Sequence, residues 1–341
     1  MITEVIKVDE NNLVQAAKKA VKLLLNGEVI GLPTETVYGL AANAFNVDAV
    51  KKIFRIKKRP YDNPLIVHVC DFVMLQDIAY ITPEAVEAAK AFWPGPLTLV
   101  LRKKDTINPL ITCNLDTVAV RMPSHPVAKA IISQADIPLA APSANLSGSP
   151  STTSAQHVLD DLKGLIPLII DAGSCEIGVE STVLSLTGKA PVILRPGIIS
   201  LERIREVFKN ASYSDSVFKE LTNEEQVESP GMKYKHYSPR AEVILVKSRL
   251  NQFVEYVSER AGDGVCAMCF DGEQDEIPIP SVSYGKEGDG FSQARLLFVV
   301  MRMLDKLGVV RIYVRAPEQG EESMAVYNRL LRASGFRMVV L

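Results

Sequence analysis

The chain has 341 residues, with 38 basic against 40 acidic side chains and a formal charge of −2. That length exceeds what one compact core usually holds, so two domains are expected, and the charge balance excludes a polycation that coats nucleic acid. There is no apolar run of the ~18 residues a membrane span needs, no basic-then-apolar leader, and the five scattered cysteines argue for a reducing compartment, the cytoplasm.

The first 208 residues alternate helix and strand signals. Leu13, Val14, Ala17, Val21, Leu24 and Leu25 recur at helical spacing within 11–26, and Gly27 is placed to end that helix. Val29–Leu32 reads as a short strand, a helix capped by Asn46 or Asp48 runs to about Lys57, and Leu65–Cys70 reads as a buried strand. Thr82-Pro83 opens a helix to about Phe92. Strands follow at Leu97–Leu101 and Val118–Arg121, then a helix from Pro126 and another over Ser154–Leu162. Leu168–Asp171, Ser181–Leu186 and Val192–Leu194 are closely spaced strands that include antiparallel neighbours, and Leu201–Phe208 closes the unit as a helix. The class is α/β, with a large twisted mixed sheet and flanking helices.

From Lys209 to Arg240 the periodicity stops, ending in Ser229-Pro-Gly-Met-Lys-Tyr-Lys-His-Tyr-Ser-Pro-Arg240. A segment this long is a linker or a functional lid, and its aromatic and basic cluster favours a lid. Beyond it, strands at Glu242–Val246, Val265–Phe270, Val309–Val314 and Arg337–Leu341 alternate with helices near 251–261, 291–307 and 323–333. Three or four strands with crossover helices make a small, Rossmann-like parallel α/β domain. Cys266 and Cys269 have metal-like spacing but lie in an apolar strand, where positions three apart face opposite sides, so they read as core thiols. His125 and His157 read as surface residues, and Glu35 as a residue that orients Thr34 or Thr36 or caps its loop.

No Gly-x-x-x-x-Gly-Lys, nucleophile elbow or His-Glu-x-x-His occurs. Lys51, Lys52, Arg55, Lys57, Lys58 and Arg59 instead place six cations within nine residues at the end of a helix. A solvated helix end explains Lys51, Lys52 and Arg55, but Lys57-Lys58-Arg59 runs straight into a turn before a buried strand, where cations can grip a polyanion.

Five segments in order carry a resemblance: Leu32-Pro-Thr-Glu-Thr-Val-Tyr-Gly-Leu40; Lys57-Lys-Arg-Pro60 with Asn63-Pro-Leu65 and His68; Pro94-Gly-Pro96; Ala141-Pro-Ser-Ala-Asn145; and Glu180-Ser-Thr182 with Arg195-Pro-Gly197. Together they resemble the YrdC-type domain, and the Ser229–Pro239 linker with the domain behind it resembles the longer form in the threonylcarbamoyl-AMP synthase family. The division implied is 1–208 catalytic, 209–240 linker and lid, and 241–341 small α/β domain.

The resemblance implies a nucleotidyltransferase that forms threonylcarbamoyl-AMP and pyrophosphate from L-threonine, bicarbonate or CO2, and ATP with Mg2+. The product would pass to a separate transferase that modifies adenosine 37 of tRNA, without stable nucleic-acid binding by this chain. It implies that Lys57, Arg59, Asn63, Ser143 and Asn145 contact ATP, with Lys57 and Arg59 neutralising charge in the transfer, and that Thr117, Ser151 and Arg195 are further nucleotide contacts. Thr36, His68, Arg121, Ala141 and Ser181 match the threonine site, and Tyr234, then His236, are the lid residues matched to bound nucleotide. Two other readings stay open: an RNA-binding or ribosome-associated module using the Lys51–Arg59 cluster, and the same enzyme chemistry on another amine.

Overall fold

Asn46, Asp71, Thr82 and Ser154 each stand one residue before a helix and accept a backbone N–H with the side chain, satisfying a donor the helix itself leaves orphaned. The structure, a computed structural model, describes residues 1–219 and 237–341. In chain order the first part comprises β1 (Glu4–Lys7), α1 (Leu13–Leu25), β2 (Ile30–Leu32), β3 (Gly39–Asn43), α2 (Val47–Lys57) and β4 (Ile66–His68). There follow α3 (Phe72–Ile78), α4 (Pro83–Phe92), β5 (Leu97–Arg102), α5 (Pro109–Thr112), β6 (Thr117–Arg121), α6 (Pro126–Ala135) and β7 (Leu139–Ala140). It ends with α7 (Ala155–Leu162), β8 (Leu168–Asp171), β9 (Thr182–Ser185), β10 (Val192–Arg195), α8 (Leu201–Val207) and β11 (Ser212–Tyr213).

These strands form one mixed sheet in the order β1-β8-β2-β3-β7-β4-β6-β5-β9-β10-β11. β9 and β10 are antiparallel, as their close spacing predicts. β4 and β6 are parallel, with His68 opposite Arg121, and β5 runs against β6 with Thr98 opposite the same arginine. Register therefore sets three polar side chains at one end of three adjacent strands. Helix α1 buries Ala16, Ala17, Ala20, Val21 and Leu24; of the expected stripe Ala17, Val21 and Leu24 face the core, while Val14 and Leu25 are exposed because the buried face is turned toward the alanines.

The second part is β12 (Glu242–Lys247), α9 (Leu250–Ser258), β13 (Val265–Cys269), β14 (Ser281–Ser283), α10 (Gly290–Lys306), β15 (Arg311–Arg315), α11 (Met324–Ala333) and β16 (Met338–Val340). Its sheet, in the order β14-β13-β15-β12-β16, is parallel at every pairing. Five strands replace the expected three or four, because Ser281–Ser283 is too short and polar to register as a strand until β13 pairs with it. Cys266 and Cys269 pack into separate apolar clusters on the two sides of β13.

Four other strands escape the sequence reading: β1 and β11, which pair with β8 and β10 at the two edges of the large sheet, and β3 and β7 inside it. β3 is Gly-Leu-Ala-Ala-Asn, whose small residues carry no β-branched signal, and β7 is the two-residue Leu139-Ala140 at the edge of what reads as loop. His125 and His157 are half-buried rather than on the surface: His125 caps α6 by accepting from Val127 N at 3.2 Å, and His157 Nδ1 lies 3.3 Å from the Thr153 hydroxyl. Among the described residues no helix is long and apolar enough to cross a membrane.

Candidate active site

The basic cluster divides at the end of α2. Val50, Ile53, Phe54 and Lys57 recur at helical spacing and are all buried, so Lys57 sits on the apolar face of its own helix. Lys58 then adopts a left-handed conformation, φ 52° and ψ 41°, which reverses the chain and turns Arg59 inward as well. Lys51, Arg55 and Lys58 stay exposed. Adjacent residues thus serve opposite sides of the protein.

Lys57 Nζ donates to the carbonyls of Ser143 and Asn145, the latter at 2.5 Å, and Lys57 O accepts from Ser147 N at 3.0 Å. Helix end and loop 141–151 therefore hold each other. Arg59 is anchored by the next turn, donating through Nε to Asn63 O at 2.9 Å and through Nη2 to Asn63 Oδ1 and Pro64 O, each at 2.7 Å. Burial, with the Arg59 charge beside it, pushes the Lys57 ammonium well below its ordinary value, and burial brings Arg59 down to about 10. Both cations gain from an anionic ligand.

A second group gathers around Arg121 at the end of β6. Its Nη1 donates to Thr36 Oγ1 at 2.7 Å, its Nε to Gly95 O at 3.2 Å, and its Nη2 lies 2.6 Å from Glu35 Oε1. Thr36 is placed by the turn between β2 and β3, where the Thr34 hydroxyl lies 2.9 Å from that of Thr36 and donates to Val37 O at 2.6 Å. Burial alone would raise the Glu35 carboxyl, but the Arg121 guanidinium outweighs it and holds the group below the usual carboxylate range. Burial, helped by Arg121, drives the His68 imidazole down to about 3, so the ring is neutral at any physiological pH. A third group joins β5, β9 and β10: Ser181 Oγ lies 2.7 Å from Thr98 Oγ1, and Arg195 donates to Ser181 O at 3.1–3.2 Å.

These groups line one open cavity, whose empty space with the adjoining open solvent is about 710 Å³. Lys57, Arg59, Ser143, Asn145, Arg195, Thr36, His68, Arg121, Ala141 and Ser181 all line it. Asn63 does not; it is buried behind and holds Arg59. Ser151 is buried behind the wall, donating to Glu180. Thr117 starts β6, opposite Arg102 and a strand's length from Arg121, and is not a lining residue. Tyr234 and His236 lie outside the described residues. Thr34, Ser147, Ser149, Glu180 and Tyr237 also line the cavity and were not read as site residues. Glu180 and Tyr237 stand inside quoted motifs, but nothing local says that their side chains face a cavity.

Among the described lining residues, Lys57, Arg59, Arg121 and Arg195 oppose a single carboxylate, Glu180. His68 Nδ1 and Asn145 Oδ1 are buried and find no hydrogen-bond partner among the described residues. Buried polar atoms without partners are uncommon and mark places where a polar ligand adds bonds. The cavity is thus built for a polyanion together with a small, zwitterionic or carboxylated molecule.

A family model described as Telomere recombination (Sua5/YciO/YrdC) matches residues 22–197, and one described as Threonylcarbamoyl-AMP synthase, C-terminal domain, matches residues 199–335. The threonylcarbamoyl-AMP synthase of Pyrococcus abyssi is 43% identical over 345 residues, covering 99% of each chain. That of Bacillus subtilis is 40% identical over 344 residues, covering 99% of this chain and 97% of its own. The crystal structure of P. abyssi Sua5 complexed with L-threonine matches with a TM-score of 0.90 at 41% identity and full coverage of both chains.

Proposed function

The chain belongs to the two-domain threonylcarbamoyl-AMP synthase family of enzymes, and from that membership we propose that it is a nucleotidyltransferase acting on ATP, L-threonine and bicarbonate or CO2. The observation that carries this reading is the single cavity in which Lys57, Arg59 and Arg195 share walls with Thr36, His68 and Arg121. The first set suits a triphosphate, the second an amino acid with a carboxylate and a hydroxyl. Residues 1–208 form the catalytic domain, to whose sheet β11 (Ser212–Tyr213) still pairs, 209–240 the linker and lid, and 241–341 the small domain.

The chemistry needs no covalent nucleophile. The amine of threonine adds to CO2, forming an N–C bond and releasing a proton, and a carbamate oxygen then attacks the α-phosphorus of ATP. A new P–O bond forms as the bond to the β-phosphate's bridging oxygen breaks, and pyrophosphate leaves. Positioning and charge neutralisation dominate such a transfer. Lys57, Arg59 and Arg195 offset charge on the phosphates, while Arg121 grips a carboxylate with donors already fixed by Glu35 and Thr36. Neutral His68 leaves the amine free of a competing cation. Mg2+ enters with ATP as part of the substrate, since the cavity's carboxylate, Glu180, already takes bonds from Ser151 and Arg329. The labile carbamate and mixed anhydride favour a site that excludes water, which is the role the lid reading gives the linker. The setting is the cytoplasm, with the product passed to a separate tRNA-modifying transferase.

The test is pyrophosphate release from ATP with L-threonine and bicarbonate supplied together and omitted singly, with the nucleotide product weighed. Release that needs both, with the mass of threonylcarbamoyl-AMP, is expected. Release with another amine replaces the substrate. No release at all, with RNA binding that weakens steeply with salt, returns the chain to an RNA-binding role through Lys51, Arg55 and Lys58.

A further inference from the structure

A carboxylate on the wall of a cavity for a triphosphate is costly unless its charge is cancelled from behind. Glu180 is that carboxylate, and the cation behind it comes from the other domain. Arg329, on α11, is 0% exposed, and its Nε donates to Glu180 Oε2 at 2.7 Å. The same guanidinium donates to Pro196 O at 2.9 Å and to Glu180 O at 3.3 Å, next to Arg195 and Ser181 in the chain. It also lies 5.1 Å from the ring centre of Tyr237, where the described chain resumes after residue 219 and which is itself a lining residue. Glu180 Oε1 accepts from Ser151, so both carboxylate oxygens already have partners. Burial would raise the Glu180 carboxyl, yet Arg329 and Arg195 hold it below its ordinary range, which keeps it charged.

A second arginine reinforces the connection. Arg302, on α10, forms a two-point pair with Asp161 at 2.8 and 3.0 Å and donates to Pro150 O at 2.6 Å and Ser151 O at 3.2 Å. That contact fixes the end of the loop whose Ser147 and Ser149 line the cavity. The small domain therefore reaches the site through two buried guanidiniums, of which Arg329 touches a charged lining residue.

We propose that Arg329 is a positioning residue of the nucleotide site: supplied by the second domain, it neutralises Glu180 and engages its carboxylate, so that the phosphates meet a cationic wall. This inference rests on the assignment of the cavity to ATP. Removing the guanidinium leaves the Glu180 charge under-compensated beside the phosphates, and like-charge repulsion raises the KM for ATP while sparing threonine.

The experiment measures separate KM values for ATP and L-threonine, with the folded fraction, in the full-length wild type, Arg329→Met, Arg329→Lys and the Arg329→Met/Glu180→Gln double variant. Arg329→Met is expected to raise the ATP KM by about tenfold with the threonine KM within about twofold. Arg329→Lys keeps most of the ATP affinity, and the double variant, with no charge left to cancel, recovers most of what Arg329→Met loses. A purely structural arginine would instead lower kcat with the folded fraction and leave the ATP KM unmoved, which overturns the proposal. If Arg329→Met does not fold, the double variant decides: an ATP KM near wild type supports the proposal, and one raised tenfold overturns it. Failure of the functional reading is seen separately, as a wild type that releases no pyrophosphate with threonine and bicarbonate.

Discussion

Lys57 and Lys58 are neighbours of one chemical type with opposite surroundings, and the difference is one helical face and one left-handed turn. Because Lys57 is tied to loop carbonyls and lies beside Arg59, Lys57→Ala or Arg59→Ala is expected to raise the ATP KM or lower kcat by tenfold or more, with threonine KM less affected. Arg121→Ala is expected to show the reverse order, and steady-state kinetics with each substrate varied decides both. His68 yields a pH prediction. Its pKa is about 3 in the folded protein against roughly 6.5 unfolded, so the unfolded chain binds the extra proton. Stability from this group is whole above about pH 6.5 and falls by up to ~1.4 kcal/mol per pH unit as pH drops toward 3. His125 and His157 are shifted downward too, so His68→Gln should flatten part of that slope in denaturant titrations from pH 7.5 to 5. An unchanged slope would show that His68 is not its source.

Elements position these residues through register and close approach. The pairing of β4, β6 and β5 sets His68, Arg121 and Thr98 in a row, and a slip of one residue would turn all three to the other face. Where β10 leaves the sheet, Gly197 packs so tightly that a Cβ would lie 2.2 Å from Thr182 N and 2.6 Å from Ser181 C. Gly197→Ala must therefore push the start of β9 away, displacing Ser181 and the carbonyl that holds Arg195. The expected cost is about 2–3 kcal/mol in denaturant melts with loss of pyrophosphate release, and an unaltered midpoint would contradict so close a contact. Most elements were legible, because α1, α2, α4, α7, α10 and β5 carry strong periods or caps. β1, β3, β7, β11, β14 and the short helix α3 were not, and the strands among them are short or rich in small or polar residues that form strands only when a neighbour supplies the ladder.

Across the whole molecule α10 and α11 of the second part pack against loops of the first along a seam that runs behind the cavity. Gly178, at φ +90°, lies where a Cβ would come 2.4 Å from Ala294 O on α10, and its own N–H donates to Thr36 O at 3.0 Å. Gly178→Ala should push α10 and the Thr34–Val37 turn apart, lowering Tm by several degrees and raising the threonine KM more than the ATP KM. Equal values to wild type in a thermal melt and in kinetics would count against a seam coupled to the site. The sequence by itself determined the α/β class, the alternation of most helices and strands, the two-part division and, through motifs occurring in order, the family. These follow from local spacing, capping and residue order, which need no knowledge of distant partners. Tertiary structure alone decided that Lys57 and Arg59 face inward while Lys58 does not, that Asn63 and Ser151 support the wall, that Thr117 lies off the cavity, and that Glu35 anchors Arg121. It also brought Arg329 against Glu180 across 149 residues of chain. Periodicity reports which face of an element is apolar, but two buried charges separated so far in sequence leave no local pattern, because each is buried only when the other arrives to neutralise it.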